Sequence, residues 1–147
     1  MKKLIFIFVI VHFNINANVL FSQNLNKLPI KVRDSLLIEI ADKALEKYGP
    51  EYNRGYLTPV VKYEGEYTGG DYKGKSFYTV TYPYDKSKEL FEKDFSAQVY
   101  ILGENGKAIV ISYGNGWGFF IDKMEKTKQK VEKMPFNTVK KPEKVNL

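Results

Sequence analysis

Phe95-Ser-Ala-Gln-Val-Tyr-Ile-Leu-Gly-Glu-Asn-Gly-Lys-Ala-Ile-Val-Ile-Ser-Tyr113 is the stretch whose reading decides the fold. Phe95 to Leu102 and Lys107 to Tyr113 are rich in β-branched and aromatic residues, the composition of strands. Gly103-Glu104-Asn105-Gly106 joins them, and Asn-Gly supplies the positive φ values of a tight hairpin turn. Upstream, Val61, Tyr63, Gly65 and Tyr67 alternate with Lys62, Glu64 and Glu66, a strand with one wet face. The turn-rich segment 68–74 leads to a second aromatic strand, Phe77 to Tyr82, which pairs with the first and ends at Pro83. The charged segment 85–94 reads as a loop or short helical turn, with Leu90 and Phe91 as its apolar pair.

Before these hairpins the period is helical. Val32, Leu36, Leu37, Ile40, Ala41, Ala44, Leu45 and Tyr48 recur at three and four residues and form one stripe over residues 31–48. Gly49-Pro50 stops the helix, with glycine expected in a left-handed cap. One amphipathic helix and four antiparallel strands predict an α+β fold, the helix packed on a curved four-stranded sheet.

The ends differ from the middle. Met1-Lys2-Lys3, the apolar run Leu4 to Val11 and the small or polar residues Asn14, Asn16, Ala17 and Ser22 have the order of a secretory signal peptide. The run is shorter than the roughly 20 apolar residues of a spanning helix, so no stable membrane insertion is expected. Cleavage after Ala17 or Ser22 fits; the second divides the chain into a leader (1–22), one α+β domain (23–122) and a lysine-rich tail (123–147). Met124, Thr127, Val131 and Met134 give the tail only a thin helical stripe before Pro135, so a frayed helix or disorder is expected there. The net charge of +6 lies in these ends: the tail holds eight lysines against three glutamates, the leader two lysines, and residues 23–122 carry 13 basic and 14 acidic groups. A nearly neutral folded part argues against a nucleic-acid partner.

The chain has no cysteine, and its one histidine, His12, lies in the leader. Serine–histidine and cysteine–histidine hydrolysis, thiol redox chemistry and thiolate-bound clusters are thereby excluded from the exported chain, and no catalytic residue, cofactor or metal site is expected. Glu64 and Glu66 are expected on one strand face, roughly 6.6 Å apart along the strand, near the spacing of glycosidase carboxylates. A solvated face beside Lys62 is the simpler reading. Asp71 reads as a turn residue, not a calcium ligand.

The candidate binding residues are aromatic. Gly114-Asn115-Gly116-Trp117-Gly118-Phe119-Phe120 lacks the following helix and crossover that a phosphate-binding loop needs. Trp117 and Phe119 either fold over the open end of the core or stand on a mobile loop for stacking on a sugar or anchoring in a partner's pocket. Tyr78, Tyr82 and Tyr84 share a strand face that is either an aromatic outer surface or the core side, with hydroxyls reaching the rim. The expected partner is a protein or an envelope glycan; the oligomeric state is left open.

Ala41-Asp42-Lys43-Ala44-Leu45-Glu46-Lys47-Tyr48-Gly49, the strand Tyr78-Thr79-Val80-Thr81 and the hairpin from Ala97 to Gly114 together resemble the immunity proteins with a nuclear-transport-factor-2-like fold. The hairpin also resembles secreted PepSY-type domains. The resemblance spans roughly residues 36 to 116 and implies a non-catalytic secreted or periplasmic binder, an inhibitor or immunity protein; segment 85–94 and the Trp117 loop depart from the pattern.

Overall fold

A computed structural model describes residues 24–132; the expected leader and the tail beyond Glu132 lie outside the described residues. A 3-10 turn at Leu25–Lys27 precedes helix α1, Ile30–Tyr48. Five strands follow: β1 Val60–Glu66, β2 Ser76–Tyr82, β3 Ala97–Leu102, β4 Ala108–Tyr113 and β5 Gly118–Phe120. Helix α2, Ile121–Glu132, closes the described chain. The strands form one antiparallel sheet in sequence order. The fold is α+β, but the sheet has five strands where four were expected. Gly118–Phe120 is too short to show a period, and its pairing with Val110–Ser112 is a tertiary event. A regular helix from Ile121 also replaces the expected frayed or disordered start of the tail.

Leu37, Ala41, Ala44 and Leu45 of α1 are buried against one sheet face, with Val80, Val99, Ile101 and Ile111 beneath them. On the other face, at one end, Tyr67 and Tyr72, carried by the β1–β2 connection, cover Leu102 and Ile109 in a second small cluster.

Two glycines act differently from expectation. Gly49 has an extended φ of −175°, not a left-handed one. Its constraint is space, since a Cβ would lie 2.6 Å from the Tyr113 ring, which is fixed by a 2.7 Å hydrogen bond from its hydroxyl to the Tyr48 carbonyl. Gly65 sits at φ +95° where the β1–β2 register slips between Tyr63 and Gly65. This bulge inserts one extra residue and reverses the face on which later side chains emerge. In the β3–β4 turn only Gly106 takes positive φ, +67°; its N–H donates to the Leu102 carbonyl, making a longer turn than a two-residue hairpin.

The tyrosine excess has a structural origin. Tyr78 and Tyr82 are core residues, and their hydroxyls donate to Asn26 Oδ1 (2.9 Å) and Asp42 Oδ1 (2.7 Å). Tyr72 donates to Asp122 Oδ2 at 2.7 Å, and the Tyr48 hydroxyl to Glu125. Each ring buries apolar area while its oxygen ties the core to a helix or loop at the rim. Through Asp122 and Glu125 these bonds also dock α2.

Candidate functional site

Antiparallel order brings the segment before β1 (residues 49–59), the β2–β3 connection (83–96) and the β4–β5 turn (114–117) to one end of the sheet. Aromatic rings build their common floor. Tyr52 stacks on Tyr113 with centroids 4.3 Å apart, Phe91 lies 6.1 Å from Tyr52, and Tyr84 meets Phe91 edge-on at 4.9 Å. Arg54 joins two of the segments, donating through Nε and Nη2 to both Glu89 carboxylate oxygens at 2.5 and 2.6 Å. This fork holds the Glu89 carboxyl below its ordinary value. The guanidinium also lies over the Phe91 ring, 5.6 Å from its centroid.

The β4–β5 turn is pinned from several sides, not the mobile loop that its glycines suggested. The Tyr113 N–H donates to the Trp117 carbonyl, the Trp117 N–H to Asn115 Oδ1, and Asn115 Nδ2 to the Tyr52 hydroxyl. The Lys93 N–H donates to the Gly114 carbonyl and the Gly114 N–H to that of Ser96, fastening the turn to the β2–β3 connection.

On this floor three large apolar side chains face solvent: Leu90 is 88% exposed, Trp117 76% and Tyr56 61%. All four basic residues of the three segments are already neutralised. Arg54 pairs with Glu89, Lys86 with Asp94 (2.8 Å), Lys88 with Asp85 (3.3 Å) and Lys93 with Glu92 (3.0 Å). This end thus carries exposed apolar side chains together with basic residues that are each paired to a nearby acid.

Of the five candidate residues from the sequence, only Trp117 is an exposed part of this end. Phe119 is half-buried, its ring edge-on to Tyr48 at 5.7 Å and beside Tyr113. Tyr78, Tyr82 and Tyr84 are buried, which corrects the outer-surface alternative: α1 covers the face carrying Tyr78 and Tyr82, and Phe91 packs on Tyr84. Tyr56 was not singled out from the sequence and Leu90 only as half of the apolar pair of segment 85–94, because an exposed apolar residue in a polar loop has no periodicity.

The carboxylate pair is also separated. Glu64 accepts from Thr79 Oγ1 at 2.9 Å and from Lys62 Nζ at 2.8 Å, while the bulge sets Glu66 opposite Ser76. Partial burial pushes the Glu64 carboxyl up, but the Lys62 and Thr79 hydrogen bonds outweigh it, leaving the group below its ordinary value. A general acid needs the opposite shift. Asp71 is exposed in the 3-10 turn Gly70–Tyr72. Among the described residues no group of three potential ligands could hold a metal ion, and no helix is long and apolar enough to cross a membrane. In comparisons with known proteins, no family model, curated protein or solved structure matches this chain.

Proposed function

We propose that this chain is an exported, non-catalytic binding protein of the inhibitor or immunity type, and that it recognises a protein partner through the loop end bearing Trp117, Leu90 and Tyr56. The observation that carries this reading is the exposure of Trp117 on a turn fixed by hydrogen bonds over an aromatic floor. A large ring carried on a fixed backbone brings apolar area to an interface without the cost of ordering the turn, which favours an anchor role. Self-paired rim charges favour an apolar contact with little dependence on ionic strength. The leader-like order of residues 1–22 supports a partner outside the cytoplasm, and the absence of histidine and cysteine after it makes recognition a simpler task for this chain than bond-making.

The test is photo-crosslinking from position 90 in living cells, followed by affinity measurement with the captured protein between low and high salt. One predominant partner whose affinity changes less than about threefold over that range is expected. Crosslinks to a polyanion, or an affinity that collapses with salt, would overturn the proposal.

A further inference from the structure

At the other end of the sheet, on the face that α1 leaves bare, the β1–β2 connection meets β5 and the first turn of α2. They enclose a cavity of about 130 Å³ lined by Tyr67, Gly69, Gly70, Asp71, Phe120 and Lys123, with Tyr72 at its base. Two features single it out. Asp71 and Lys123 carry opposite charges on the same cavity, yet no ion pair joins them; Asp71 has no ion pair or side-chain hydrogen bond among the described residues, and the Lys123 ammonium rests 4.6 Å from the Phe120 ring centroid. The walls are also fixed, because the Tyr72 hydroxyl is bonded to Asp122 at the start of α2.

From this geometry we infer a binding site for a single pyranose sugar. Aromatic faces at Tyr67 and Phe120 suit the C–H faces of a sugar ring. A hydroxyl both donates and accepts, so adjacent hydroxyls can donate to the acceptor-only Asp71 carboxylate and accept from the donor-only Lys123 ammonium. Gly69 and Gly70 have open space where a Cβ would be, leaving their peptide groups accessible to the ligand. One acid and one base at the cavity give no net charge, which disfavours a simple anion or cation. At about 130 Å³ the open cavity can seat part of one sugar ring and has no room for an extended chain. The site is separate from the loop end and does not depend on its role.

The experiment is amide NMR of the full chain titrated with methyl glucoside and, separately, with glycine as a zwitterionic control. Saturable shifts at Gly69, Gly70 and Lys123 are expected, with a Kd on the order of millimolar for so small a ligand. Asp71→Asn, an exposed change that leaves the core intact, and Phe120→Ala should each weaken binding about tenfold, while Trp117→Ala leaves it unchanged. No shift at these amides up to about 100 mM sugar, equal shifts with glycine, or full binding by Asp71→Asn would each overturn the assignment.

Discussion

The two ends of the sheet are built on opposite plans. At the end where α1 begins, polar groups are tied to one another: Asn26 donates to Ser76 Oγ, Tyr78 donates to Asn26, and Glu104 Oε1 accepts from both the N–H and the hydroxyl of Ser76. At the loop end, the hydrogen bonds fix the backbone while Trp117, Leu90 and Tyr56 are left facing water. Around Asn26 and Ser76 side chains hold the fold, and around Trp117 the fold holds a side chain out. A substitution therefore acts on different quantities at the two ends.

The largest effect is expected at Gly103, where a Cβ would lie 2.4 Å from Asn26 Oδ1 and 2.5 Å from Ser76 Oγ. Gly103→Ala should cost about 2–3 kcal/mol in urea denaturation, as overpacking and a broken polar network act together. Tyr82→Phe removes one hydroxyl bond to Asp42 from the core and should cost about 1 kcal/mol by the same assay. Retained full stability in both variants would show that the polar ties do not hold the fold.

The same contrast has a pH signature. Burial and, for Tyr48, Tyr72 and Tyr82, carboxylate partners raise the hydroxyls of Tyr48, Tyr67, Tyr72, Tyr82, Tyr100 and Tyr113 above their ordinary value of 10.0; Tyr113 is pushed up to about 12. A raised group stabilises fully below its unfolded value and loses that contribution as pH rises through its folded value. The melting temperature should therefore hold to about pH 10 and fall above it. Ultraviolet titration should find these six tyrosines ionising above the ordinary value of 10.0. At acid pH the sign reverses for Glu104: burial pushes it up, but the Ser76 bonds prevail and lower it, so its contribution is lost as pH falls through that lowered value. Glu104→Gln should flatten the acid limb of the stability profile, whereas an unchanged limb would remove Glu104 from the account.

How much of this was legible in the sequence follows from what makes a local signal. Helix α1 and the two long hairpins carry periods of 3.6 and 2 over six residues or more, and they stand where expected. Strand β5 has three residues led by a glycine, and its place is set by Ser112 and Val110 across the sheet. Helix α2 is anchored by Ile121, Asp122 and Glu125, contacts that a stripe through Met124 and Thr127 does not foretell. The bulge at Gly65 hides in a position where glycine also satisfies an alternating pattern, so the separation of Glu64 from Glu66 is visible only in the pairing. Trp117 was legible as a candidate by its place in the glycine-rich segment 114–118. Its exposure was not, because that depends on Phe119, rather than Trp117, turning onto Tyr48 and Tyr113.

The smallest expected change in stability belongs to Trp117, and it is the most direct test of the loop end as a recognition surface. Stability and affinity for the crosslinked partner are measured on the same Trp117→Ala sample. Unfolding free energy within about 0.5 kcal/mol of the parent, with affinity reduced at least about tenfold, is the predicted result. A loss of stability comparable to that of Gly103→Ala, or an unchanged affinity, would contradict it.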